Sequence, residues 1–348
     1  MDFALDDEQQ LIVSTIRRLV DKDLGAWAAD ADRAGAPPDR LLDVAGEIGF
    51  LVDAVPADAD GLLEGDYSHA TRALRGIELG RGCSALAALL ECNVEPSLAV
   101  ATWGSDAARA ALYGALTIDA SDDGLTITGV LGPVPCLANA SHLLLCAKAG
   151  DEPVLALVDT ATLSLDPVVP SGWRAAAWAT LRADGARVPA DFVLARGVAA
   201  HRAIDQVLSW YRVSLAARAV GAAQAAMTHA RGYAEERVQF GQPIGRFESL
   251  IGMRDQSETA TAAARALVLQ AAWELDAGMP DAANDASRAR DFAGATLSRT
   301  AIDAVQIYGG YGFVNDYPVE KIMRDARAYE VLLGNEGLLR VLAQKGGE

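Results

Sequence analysis

Residues 306–329 read QIYGGYGFVNDYPVEKIMRDARAY. An alanine-rich helical pattern from about 282 must stop at Gly309-Gly310, because consecutive glycines free the backbone from helical angles. Pro318 restarts a helix, since proline at the first helical position forfeits no hydrogen bond, and Asp316 stands where a cap is expected. Further back, Val207, Trp210, Tyr211, Ser214 and Leu215 fall on one face of a helix expected to begin near 203 and reach Arg237. Another helix covers roughly 250–277 and is stopped by Gly278-Met279-Pro280. Four long helices with short loops predict a bundle over 199–348.

Between 114 and 198 the pattern changes. LTITGVL, HLLLCAKA, PVLALVD and TLRADGARVPADFVL are short β-rich runs separated by Asp-Gly, Gly-Asp and Pro signals, which predicts a small domain of antiparallel strands. Residues 1–113 read as helical. Asp6 or Asp7 caps a first helix carrying Leu11, Ile12, Ile16, Leu19 and Val20; a second helix near 39–48 ends at Gly49; and Gly80–Gly82 marks a break before an alanine- and leucine-rich stretch. The expected architecture is mainly α with a central β domain: an N-terminal helical domain, a small antiparallel β domain and a C-terminal four-helix bundle.

The composition narrows the function. At 51% hydrophobic and 22% charged, the 348 residues suit a folded chain with a substantial core. No uncharged apolar run reaches the roughly 18 residues a membrane span needs. The acidic opening MDFALDDEQQ is unlike a signal peptide, so a cytoplasmic location is expected. A net charge of −17 argues against nucleic acid, whose phosphates need Lys and Arg. Cys83, Cys92, Cys136 and Cys146 show no CxxC spacing, and His69, His142, His201 and His229 lie far apart, so no metal site is expected.

Two segments carry chemistry. RVQFGQPI at 237–244 offers the planar, permanently charged fork of Arg237, suited to a pyrophosphate, with Gln239 and Phe240 beside it. Gln306 with Gly309 and Gly310 stands at a helix end where missing side chains let a nucleotide approach the backbone. The plain alternatives are that Arg237 pairs with Glu235 or Glu236, and that the glycines only terminate a helix.

Together RVQFGQPI and QIYGGYGFVNDYPVEKIMRDA resemble the C-terminal signatures of the acyl-CoA dehydrogenase family. Weaker likenesses fall in the family's order: MDFALDDEQQLIVSTIRRLV, IGFLVDAVP at 48–56, IELGRG at 77–82 and GARVPADFVL at 185–194. The resemblance implies FAD as cofactor and an acyl-CoA thioester as substrate. It assigns Arg237, Gln239, Phe240, Gln306, Gly309, Gly310 and Asn335 to a cofactor held mainly by a neighbouring subunit, and Arg212 to the substrate.

The chain departs from that pattern in two places. The family's Tyr-Glu-Gly-Thr segment, whose Glu takes the α-proton of the thioester, is here Leu332, Leu333, Gly334 and Asn335. The base position is thus Leu333. Some members place the Glu on the long helix before an Arg, where this chain has Tyr211-Arg212. Tyrosine, with an ordinary pKa near 10, is a poor base near neutral pH and reads equally as a packing aromatic. Glu330 and Glu336 flank the vacancy as relocated candidates. In the β domain, ALTIDASDDGLTITGV keeps Thr117 of the family's flavin loop but lacks its Glu-Pro and Gly-Ser-Asp, and Asp119, Asp122 and Asp123 bring negative charge.

Three readings follow. The first is a subunit without a catalytic base, completing the FAD site of a homologous catalytic acyl-CoA dehydrogenase subunit. That is similar to heteromeric actinobacterial enzymes acting on steroid side-chain thioesters, which pair a subunit bearing the Glu with one lacking it. The second is a homomeric flavoprotein of the same fold with other chemistry. The third is a flavin-free binding or scaffold protein.

Overall fold

The computed structural model describes residues 5–103, 124–149 and 152–332. The chain opens with α1 (Asp7–Leu19), which passes through a π-turn (Val20–Leu24) into α2 (Gly25–Ala34). Asp6 is the cap: its carboxylate accepts from the Gln9 N–H at 2.7 Å while the Gln9 side chain accepts from the Asp6 N–H. A short α3 (Leu41–Glu47) precedes α4 (His69–Gly82), α5 (Ser84–Glu91) and α6 (Val94–Trp103).

The expected break falls at the end of the Gly80–Gly82 segment: the helix ends at Gly82. Helix α4 runs through Gly80 and is interrupted only at Cys83. The reason is packing rather than flexibility. A Cβ on Gly80 would lie 2.3 Å from the carbonyl oxygen of Arg218, and one on Gly221 would lie 1.9 Å from that of Ile77. These glycines let α4 press backbone to backbone against the helix that crosses it.

That helix is α7 (Gly197–Glu236), forty residues long and starting earlier than its apolar face suggests. It is followed by α8 (Glu248–Asp276), α9 (Ala282–Tyr308) and α10 (Pro318–Val331). Pro318 occupies the first turn of α10 as expected. Asp316 does not cap it: the capping position is Tyr317, with no side-chain hydrogen bond to the helix. Asp276, at the end of α8, reaches across to the start of α4 and accepts from the N–H groups of His69 at 2.6 Å and Ala70 at 2.9 Å.

The β region contributes β1 (Leu125–Val134), β2 (His142–Ala149), β3 (Glu152–Asp159), β4 (Ser164–Val168), β5 (Trp178–Val188) and β6 (Val193–Arg196). Two antiparallel sheets form, ordered β1-β5-β4 and β2-β3-β6. The apolar run in β3 makes it the central strand, with Leu155 and Leu157 fully buried beneath Ala203, Val207 and Trp210 of α7.

Charge is buried where the N-terminal helices meet α7. The fully enclosed Glu91 accepts from Arg75 at 3.0 Å and from Arg218 at 3.2 Å, while Arg75 also bonds Asp53 and Arg72 lies 2.8 Å from Glu95. Three cations meet three carboxylates, so the cluster is balanced. Removing one member would leave an uncompensated charge in a place water cannot reach.

Candidate functional site

The sequence segment 237–244 folds into an outward-facing device at the end of α7. Arg237 closes that helix, its N–H donating to the Tyr233 carbonyl at 2.9 Å. A two-residue-strand hairpin follows, β7 (Val238–Gln239) against β8 (Gln242–Pro243), and the Ile244 N–H returns to the Arg237 carbonyl at 2.8 Å. Phe240 and Gly241 make the turn, with φ of 51° and 81°. Phenylalanine in that left-handed region is unusual, and the ring it displays is 94% exposed. The ring meets that of Phe247 edge-on, with centroids 6.3 Å apart.

Arg237 is exposed, and among the described residues it makes no ion pair with Glu235 or Glu236. Its guanidinium instead lies over the Tyr311 ring, 6.0 Å from the centroid, within an aromatic group of Tyr233, Tyr308, Tyr311 and Tyr317. Gln306 is exposed on the last turn of α9, and Gly309 follows with φ of 59°. A Cβ on Gly309 or Gly310 would meet nothing within 4 Å. Arg237, Gln239, Gly309, Gly310 and Tyr311 therefore line one open cleft of about 500 Å³. Two motifs some seventy residues apart in the sequence come together here.

The glycines close α9 at its C-terminal end, where free carbonyls point outward rather than N–H groups. That end suits the hydroxyl or amino donors of a nucleotide. The charge for a pyrophosphate falls to Arg237.

Tyr211 lies on α7 at the meeting point of the N-terminal helices and the β region, packed against the main core. Burial pushes its hydroxyl up to about 12, outweighing the opposing pull of Arg218. It is a neutral phenol at physiological pH, in the direction opposite to what a base requires. Arg212, its neighbour, is half-buried.

The end of α10 is fixed by residues that the sequence reading did not single out. Asp325 accepts from the backbone N–H of the fully buried Trp173 at 2.7 Å and from Lys321 at 2.6 Å. Arg324 bonds Asp32 at 2.7 Å and the Ser171 carbonyl at 2.6 Å. The Tyr329 ring meets Trp173 edge-on at 4.9 Å. The RDA triplet is thus a clasp between α10, α2 and the loop before β5. The sequence signal was available: SGWRAAAW at 171–178 places one tryptophan in the loop before β5 and a second at the start of that strand, and large apolar rings there need a partner. Beyond α10, Leu332 is buried and its carbonyl accepts from Arg290 at 2.6 Å. Leu333, Asn335 and Glu336 lie outside the described residues, as do Thr117, Asp119, Asp122 and Asp123. Glu330 belongs to the last turn of α10.

Residues 200–347 match the acyl-CoA dehydrogenase C-terminal domain family, and residues 6–117 match the acyl-CoA dehydrogenase N-terminal domain family. The chain belongs to the acyl-CoA dehydrogenase family. A probable acyl-CoA dehydrogenase, YngJ, of Bacillus subtilis is 29% identical across 98% of both chains. A second Bacillus subtilis acyl-CoA dehydrogenase is 39% identical over 163 residues, which are 47% of this chain and 42% of that protein. Among solved structures, glutaryl-coenzyme A dehydrogenase in complex with glutaryl-CoA superposes with a TM-score of 0.82 at 26% identity, covering 94% of this chain and 92% of the other. The alignment to YngJ runs 377 positions against the 348 residues here, so the relative carries residues that this member lacks.

Family membership makes the chain an oxidoreductase of the type acting on a CH–CH bond, with FAD as the family's cofactor. The cleft at Arg237 fits one part of such a dinucleotide. It is open, carries one permanent cation free of local carboxylates, and is floored by glycines whose Cβ positions are empty. No helix among the described residues is long and apolar enough to cross a membrane.

Proposed function

We propose that this acyl-CoA dehydrogenase family member is a subunit without its own base, completing the FAD site of a homologous catalytic subunit that dehydrogenates an acyl-CoA thioester. The observation that carries this reading is Tyr211. At the alternative base position on the long helix stands a phenol held near a pKa of 12, and the other position is Leu333. Neither side chain can remove an α-proton near neutral pH.

The outward display of the clamp supports the same reading. Arg237, Phe240, Gln306 and the glycine pair face away from the body of this chain. FAD, when bound, supplies the electron acceptor that dehydrogenation needs. Arg237 would neutralise its pyrophosphate, Gln239 and Gln306 would accept and donate hydrogen bonds along it, and Phe240 would cover an apolar face. The proton transfer would belong to a glutamate of the partner.

The reading is tested by isolating the tagged chain from its native cell under mild conditions and identifying what co-purifies. The expected result is a stoichiometric homologue with glutamate in register with Leu333, carrying FAD. A pure homo-oligomer turning over an acyl-CoA would contradict it.

A further inference from the structure

Beside the cleft at Arg237 lies a second cavity, of about 380 Å³, which shares only Ile307 with it. Three arginines stand on its wall. Arg231 belongs to α7, Arg246 to the 3₁₀ turn (Ile244–Arg246) that leads into α8, and Arg254 to the second turn of α8. Glu235 is the one carboxylate among the described residues of that wall. On a chain with a net charge of −17, three converging cations are against the general trend of the surface.

Two of the three are left without an anion. Arg254 is held by Asp255 at 2.9 Å, whereas Arg231 and Arg246 make no ion pair and no side-chain hydrogen bond among the described residues. Arg231 and Glu235 are four positions apart on α7, the spacing at which helical ion pairs form, and still do not pair. The α8 N-terminus opens at the same place with no side chain capping it, so its positive end adds to the arginines, partly offset by Glu248 in the first turn. The floor is apolar: Met227, Ala230, Ala234 and Ile307 are all buried. A solvated basic patch needs no such floor. Cations above an enclosed apolar surface suit a ligand that has both an anionic end and an apolar body.

We propose that the Arg231–Arg246–Arg254 cavity binds a phosphomonoester carried on a small organic group, the phosphate between the guanidiniums and the organic group against the Met227–Ile307 floor. A phosphomonoester is close to a dianion at neutral pH and offers three acceptor oxygens, which matches several planar guanidinium forks better than a carboxylate does. The volume lies near the lower end of the roughly 300–1,000 Å³ typical of ligand pockets, which favours a compact ligand over a dinucleotide. The site is distinct from the Arg237 cleft and does not depend on which subunit holds the flavin.

The full-length chain, without added FAD, is titrated at low ionic strength with phenyl phosphate, inorganic phosphate and benzoate, and binding is read by ligand-detected NMR. Phenyl phosphate is expected to bind saturably, inorganic phosphate more weakly because it leaves the floor uncovered, and benzoate more weakly because it carries a single charge. Replacing both arginines, Arg231→Ala with Arg246→Ala, should weaken phenyl phosphate at least about tenfold. Glu235→Gln should tighten it, a gain that misfolding cannot mimic. The inference is overturned if phenyl phosphate shows no saturable binding, if benzoate binds as tightly, or if the double variant binds like wild type. It is overturned equally if Arg237→Ala removes the binding as fully as the double variant does, because the anion then sits in the neighbouring cleft.

Discussion

The carboxylate of Asp325 holds the backbone N–H of Trp173 at 2.7 Å, joining the last described helix to a loop of the β region 152 positions earlier. The same carboxylate neutralises the enclosed ammonium of Lys321 at 2.6 Å. These contacts set the direction in which α10 delivers Leu332 to the core, where its carbonyl accepts from Arg290 at 2.6 Å.

Asp325→Ala should destabilise the fold by about 3–5 kcal/mol, because it leaves the largely enclosed Lys321 ammonium with only the Cys83 sulphur as acceptor and the buried Trp173 N–H unpaired. Pairing it with Lys321→Met should recover part of that loss. Denaturant midpoints of the two variants measure the difference, and equal losses would mean that the ammonium is not the cost.

His69 gives the fold an acid-sensitive component. It stacks on Trp210 at 5.6 Å and meets Tyr67 edge-on, and burial lowers its pKa to about 3. An unfolded histidine titrates near 6.5, so between pH 6.5 and 3 the unfolded chain binds the extra proton. The contribution of neutral His69 is fully present above pH 6.5 and is lost as pH falls, by about 2 kcal/mol at pH 5. His69→Phe should lose correspondingly less stability between pH 7 and pH 5 than wild type. Parallel losses would assign the sensitivity to carboxylates alone.

Arg237→Ala should lower FAD retention by the assembled enzyme by one to two orders of magnitude, the equivalent of a charge-assisted contact of about 1.5–3 kcal/mol. Equilibrium dialysis against FAD reads it directly. Stability should hardly change, because the guanidinium is exposed and touches only the Tyr311 ring.

Tyr211→Phe should leave acyl-CoA dehydrogenation by the assembled enzyme within a few-fold of wild type, since a phenol near a pKa of 12 contributes no general base. A loss of about a hundredfold or more, in the range attributed to a positioned base, would return the role to this subunit.

Much of the fold was legible in the sequence. The 3.6-residue periodicity marked the long helices, and the glycine and proline stops placed the ends of α8, α9 and the start of α10 within a few residues. What the sequence concealed was close packing. Gly80 reads as a helix breaker until the Arg218 backbone is seen against it, and the capping role of Asp276 depends on an α4 terminus more than two hundred residues away. For the site, motif order grouped Arg237 with Gly309, and both line the cleft at the end of α9. The sequence already placed the glycines at the C-terminal end of a helix; what it did not show is that Arg237 and the Tyr311 ring stand against that end.

Whether this chain holds flavin by itself separates a half-site subunit from a self-sufficient flavoprotein. The most direct measurement is the flavin absorbance of the purified chain, expressed without any partner and supplied with excess FAD before desalting. A half-site displaying Arg237 and the glycine pair outward should retain far less than one FAD per chain. A yellow homomer with one FAD on every chain would contradict the central claim.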